Sequence, residues 1–104
     1  MTRVRVLPRA NTDIDDAADE YVRVEGIELG LRFYEAVERT WAELAEHPEM
    51  GAAVQWESMC LPRVRRWQVV SPFSIYQVYY RVTEGTAIVI RVLHGARDNE
   101  EALS

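Results

Sequence analysis

Lysine is absent from this chain of 104 residues: all twelve of its cations are arginines. One cysteine, Cys60, excludes an internal disulfide and suits a reducing cytoplasm, the expected location. Two histidines, His47 and His94, stand far apart and offer no metal-ligand spacing with Cys60, so neither a metal nor an organic cofactor is expected. No apolar run approaches the roughly 18–20 residues of a membrane span, which excludes a membrane partner. Arginines but no apolar stretch mark residues 1–10, so they do not read as a secretory signal. There is no glycine-rich phosphate loop and no Gly-x-Ser-x-Gly turn, which removes the common nucleotide-binding and hydrolase signatures. Repeats, low-complexity tracts and linkers are missing too. The length suits one domain, 1–104, around one core.

What is present is a lopsided charge pattern. The net charge is −5, yet residues 1–57 carry 6 arginines against 13 acids, and residues 58–97 carry 6 arginines against Glu84 alone. The tail from Asp98 is acidic again. Codon usage accounts for arginine replacing lysine. It does not account for arginines without acidic neighbours, which point to a basic surface for an acidic partner. Arginine's planar fork meets carboxylate or phosphate at two points.

The hydrophobic pattern reads β-α-α-β-β-β, a two-layer α+β fold with a helical hairpin on an antiparallel-rich sheet. Arg3 to Leu7 alternates polar and apolar, as a strand with one wet face does. Pro8 ends it. Asn11 or Thr12 then caps a helix over about 12–25: Thr12-x-x-Asp15 matches a capping box, with Asp13, Asp15 and Asp16 in its first turn. Ile14, Ala18, Tyr21 and Val22 form its apolar stripe. A second helix spans about 27–46, with Phe33, Tyr34, Val37, Trp41 and Leu44 inward, and stops before Pro48. Residues 49–61 read as a loop in which Trp56 is an anchor. Strands follow at Arg63–Val70, Phe73–Val82 and Thr86–Leu93, with turns at Ser71-Pro72 and Glu84-Gly85. The last strand is almost uninterruptedly apolar and is expected in the sheet interior.

Strand periodicity puts Tyr76, Val78, Tyr80 and Val82 on one face, expected as core. Ile75, Gln77, Tyr79 and Arg81 take the other, the candidate functional face. Arginines interleaved with aromatics can also clamp single-stranded nucleic acid. His94, at a strand end beside Gly95 and Arg97, is either an acid–base group or a residue that shapes the turn. Cys60 reads as a packed or idle thiol.

The order of an aromatic strand with Tyr79-Tyr80-Arg81-Val82, a short turn, and a strand ending Arg91-Val92-Leu93-His94-Gly95-Ala96-Arg97-Asp98 resembles the ParE branch of the RelE/ParE toxins of bacterial type II toxin–antitoxin systems. The resemblance follows the element pattern of almost the whole chain; only the last 30 or so residues carry specific motifs. It implies the same two-layer fold, a growth inhibitor acting in the cytoplasm, and a cognate ParD-like antitoxin that neutralises it. In the ParE branch the target is DNA gyrase and inhibition is binding rather than bond-making, so no catalytic residue is expected. The partner-binding set is then Arg63, Arg65, Tyr79, Arg81, His94 and Arg97. The antitoxin is expected to be an acidic amphipathic segment that folds on binding, burying apolar area on the helical hairpin and pairing charges with the arginines. The RelE branch implies instead an mRNA endoribonuclease working on the ribosome, for which His94, Arg81, Arg97 and Arg65 are the alternative set. Against that branch stand the missing lysines, Gln77 at a position where RelE-like chains carry arginine, and an acidic tail without tyrosine. A non-toxic interaction module of the same fold is the third reading.

Overall fold

The computed structural model describes residues 2–54 and 63–95. Its elements run β1 (Arg3–Val6), α1 (Pro8–Glu25), α2 (Ile27–Glu46), β2 (Ala52–Ala53), β3 (Arg65–Gln68), β4 (Tyr76–Thr83) and β5 (Thr86–His94). They form a mixed sheet in the order β1-β5-β4-β3-β2, with β1 parallel to β5 and the other pairs antiparallel. The two-layer α+β reading and the interior place of β5 both hold. The two-residue strand β2 lies inside the segment read as a loop, β3 is shorter at both ends than the apolar pattern suggests, and β4 starts later.

Helix α1 begins one turn earlier than expected. Pro8 does end β1, but it also serves as the first helical residue, where its missing N–H costs nothing and its fixed φ already suits the helix. Thr12 is therefore inside the helix and donates its hydroxyl to the Pro8 carbonyl at 3.2 Å rather than capping. The three aspartates fall beyond the first turn, which holds no acid. Gly26, with φ of 100°, is the only residue between the helices. Gly30 rests against Ala18 and Val22, and the Tyr34 hydroxyl donates to Asp15 at 2.7 Å, so the two helices run antiparallel.

The main core lies between this hairpin and the sheet. Phe33, Ala36, Val37 and Leu44 from α2 and Ala10, Ile14, Ala17 and Ala18 from α1 meet Tyr76, Val78, Tyr80, Ala87, Val89 and Val92. Tyr21, Phe33, Phe73 and Tyr76 pack edge-on or tilted at centroid distances of 5.2–6.2 Å. Trp41 is only half-buried at the margin of this core and Tyr34 is 39% exposed, so the inward stripe of α2 is narrower than its aromatic content suggests. Thr40 is fully buried and satisfied: its hydroxyl donates to the Ala36 carbonyl at 2.8 Å and accepts the Val70 N–H at 3.0 Å.

A second, smaller cluster sits on the other face of the sheet: Val64, Tyr79, Ile90 and Leu93, with Val54 against them. Strand β5 reads as a continuous apolar run because it feeds both clusters.

Candidate partner-binding face and groove

The charge pattern of the sequence becomes a division between layers. The two helices carry 11 acidic residues against four arginines. The strands carry six arginines and no acid. On the sheet's outer face, away from the helices, cross-strand pairing sets Arg5 beside Ile88 and Ile88 beside Arg81, with Arg66 opposite Tyr79. Arg3 projects to the same side as Arg5, because residues two apart on a strand share a face. Arg3, Arg5, Arg66 and Arg81 thus share one face with the half-buried Ile88 and with the buried Tyr79 and Ile90 of the second cluster. The Nε of Arg81 is buried with no hydrogen-bond partner. Arg63 is exposed at the entry to β3, in a left-handed conformation with φ of 64°.

The expected set is only partly brought together. Tyr79 and Arg81 share the outer face. Arg65 is on the helix side of β3, where its Nη1 donates to the Glu49 and Gly51 carbonyls at 3.1 and 2.8 Å and clamps the loop after α2. The Tyr80 hydroxyl closes the same loop: it donates to the Pro48 carbonyl at 2.8 Å and accepts the Gly51 N–H at 3.0 Å. Burial pushes the Tyr80 phenol pKa up. Arg97, Cys60 and Trp56 lie outside the described residues. Arg3, Arg5 and Arg66 share the outer face with Tyr79 and Arg81 and were not in the expected set. The alternation of Arg3-Val4-Arg5-Val6 did announce a wet face; what it could not reveal was that β1 pairs with β5 and so brings that face to Arg81.

His94 faces the opposite way. Tyr80 pairs with Val89 and Tyr79 with Arg91, which leaves Ile90 as an extra residue, a β-bulge. The bulge reverses the alternation of β5, so Val92 and His94 turn toward the helices. The His94 ring meets Tyr76 edge-on at 5.2 Å. It lines a groove of about 470 Å³ between β5 and α1, together with Arg9, Asp13, Asp16, Glu20 and Arg91.

This groove exists because β1 ends opposite Val89 while β5 continues to His94. Asp13 substitutes for the missing strand. One of its oxygens accepts the Val92 backbone N–H at 3.0 Å and Arg91 Nε at 2.7 Å, and the other accepts Arg91 Nη2 at 3.0 Å. The two side chains are 11% and 13% exposed, so this bidentate pair is nearly dry. The arrangement offers ion pairing and shape on a basic outer face, and a mixed-charge groove that holds an imidazole beside carboxylates. Among the described residues no group of three His, Cys, Asp or Glu side chains is placed to hold a metal ion, and no helix is long and apolar enough to cross a membrane.

A comparison with curated proteins finds no match. Among solved structures, 11 chains match. One, from the chromosomal ParDE TA system of P. aeruginosa, superposes with a TM-score of 0.71 at 20% sequence identity, covering 90% of this chain and 96% of that one. At that identity the likeness speaks for the fold. The family model for the ParE toxin of the type II toxin–antitoxin system parDE matches residues 4–99, which takes in Arg5 of β1, the helical hairpin, the YYRV strand and the bulged strand ending at His94. The chain therefore belongs to the ParE toxin family of type II toxin–antitoxin systems.

Proposed function

We propose that this protein is a growth-inhibiting toxin that acts by binding DNA gyrase in the cytoplasm, uses no cofactor, and is held inactive by a ParD-type antitoxin. The observation that carries the binding reading over a catalytic one is the division of the ionisable groups between the two sides of the sheet. Arg81 is on the outer face, His94 is in the groove beside α1, and Arg65 is committed to backbone carbonyls. An RNA-cleaving centre needs its acid, base and phosphate-neutralising cations around one scissile bond, within about 3 Å of the atoms they serve. A binding surface has no such requirement. Arg3, Arg5, Arg66 and Arg81 beside the half-buried Ile88 resemble a charged rim around an apolar contact, the kind of surface in which arginine contributes strongly to affinity.

The ribonuclease alternative keeps one point in its favour, the basic and aromatic composition of the outer face, and the same experiment decides between them. Expression without antitoxin should arrest growth with DNA breaks accumulating before any loss of mRNA, and co-expression of the short reading frame adjacent to the gene should restore growth. Substituting His94 by Gln should leave most of the inhibition intact. In a ribonuclease using His94, the same change costs about 10²–10⁴-fold in rate and abolishes toxicity. Early mRNA cleavage with intact DNA rejects the gyrase reading.

A further inference from the structure

The arginines of the sheet's outer face form a diagonal stripe. Arg3 and Arg5 stand on β1, Arg81 lies two strands away across Ile88, and Arg66 is one strand further, opposite Tyr79. Two residues along a strand span about 6.7 Å and neighbouring strands lie about 4.8 Å apart, so the stripe is roughly 20 Å from end to end. Thr86 and Thr83 continue the row that Arg3 begins and add hydroxyl groups to it. The ion pairs among the described residues are Arg32–Glu28, His47–Glu46 and Arg91–Asp13, so none of the four stripe arginines is in one. Glu84, the acid closest in sequence to Arg81, is in the exposed turn at one end of the sheet.

Three observations say what kind of polyanion such a stripe fits. A DNA duplex carries one negative charge per about 1.7 Å of its length, so a stripe of this extent finds a phosphate for every arginine. Arg81 adds a specific vacancy of bonding: its Nε has no hydrogen-bond partner, and two phosphate oxygens match the Nε–Nη edge of a guanidinium. Single strands are held instead by aromatic rings that stack on the bases, and Tyr79, the aromatic beside Arg66 on this face, is only 9% exposed. The acids, meanwhile, are on the helices behind the sheet, 11 of them against four arginines. A polyanion is repelled from that side and drawn to this one, so a molecule of net charge −5 meets it in a single orientation.

We propose that the arginine stripe grips the phosphate backbone of duplex DNA, so that the toxin engages gyrase where the enzyme already holds its DNA. The gyrase setting rests on the function proposed above; the affinity for DNA is a property of this chain alone and is measured without the enzyme.

The test titrates the full-length protein with a fluorescent DNA duplex of about 24 base pairs, and with single-stranded RNA of equal length, at salt from about 50 to 200 mM. Four phosphate contacts give a slope of about −3.6 in log affinity against log salt, a loss of about 150-fold over that range. Arg66→Ala with Arg81→Ala should lower the slope by about two. Arg3→Ala with Arg5→Ala, two exposed residues at the other end of the stripe, should do the same. Both double variants should unfold at the wild-type midpoint, and Arg39→Ala on the exposed side of α2 should bind like the parent. No duplex binding at about 50 mM salt, a slope that neither double variant changes, or tighter binding of the RNA would overturn the proposal. The last result would assign the face to RNA. Wild type that traps cleaved DNA with gyrase but has no affinity for DNA alone would overturn this inference and leave the gyrase reading standing. Duplex binding with the expected slope, but no cleaved DNA when gyrase is added, would keep the DNA surface and discard gyrase as the target.

Discussion

Phe33 and Trp41 stand two turns apart on α2 and both look like core in the sequence, yet only Phe33 is completely buried. Phe33→Ala should cost about 3–5 kcal/mol, the usual loss for a large buried aromatic. Trp41→Ala should cost clearly less, because part of the indole is already in water; chemical denaturation of the two variants side by side checks the order. Tyr34 gives a second single-residue prediction. Its pKa is raised to about 12 by the hydrogen bond to Asp15, by burial and by the charges of Asp15 and Asp19, so the folded state prefers the neutral phenol. That preference is fully present below the ordinary tyrosine value of 10.0 and is lost as pH rises toward about 12. Asp15→Asn should bring the titration of Tyr34, followed by NMR, back toward 10.0, since the largest cause of the shift is the bond to the Asp15 carboxylate. A titration unchanged in that variant contradicts this hydrogen bond.

Among the elements, α2 was legible to the residue, because both of its stops are local: Gly26 takes a positive φ and Pro48 disfavours helix in the residue before it. The start of α1 was not. Pro8 is compatible with ending a strand and with opening a helix, and the sequence Thr12-x-x-Asp15 imitates a cap one turn too late. The side to which His94 turns was also hidden. Regular alternation from Ala87 would place residue 94 on the outer face that Arg81 occupies, and the bulge at Ile90 reverses this. A bulge depends on what the partner strand offers and leaves little local mark. The Asp13–Arg91 pair, 78 residues apart in sequence, was invisible for the same reason. It yields the element-scale prediction. Asp13→Ala leaves Arg91 without its counter-ion in a nearly dry site and uncovers the Val92 N–H, and should destabilise the fold by about 3–5 kcal/mol. Urea denaturation measures it, and amide exchange at Val92 should accelerate beyond the global change. A variant as stable as the parent would mean that water replaces the carboxylate without loss.

The whole molecule is organised by charge, with acids on the helices and arginines on the strands. The sequence displayed this as an imbalance between its two halves, but β1 lies in the acidic half and belongs, in space, to the basic face. Arg3 and Arg5 were therefore found only by strand pairing, and the place of Arg66 opposite Tyr79 likewise comes from the pairing of β3 with β4. If that face holds the target, its contribution is spread over several charge-assisted contacts, each worth about 1.5–3 kcal/mol. Single substitutions should then weaken inhibition, and double ones should nearly remove it, with the fold intact because these side chains project from the sheet's outer face. The central claim is tested most directly with purified protein, purified DNA gyrase and supercoiled plasmid, scoring cleaved DNA trapped by the enzyme. Wild type should trap cleaved DNA, His94→Gln should do nearly as well, and the double variant Arg66→Ala, Arg81→Ala should fail while unfolding at the wild-type midpoint. Gyrase activity untouched by wild-type protein, or a double variant as potent as the parent, would contradict the account.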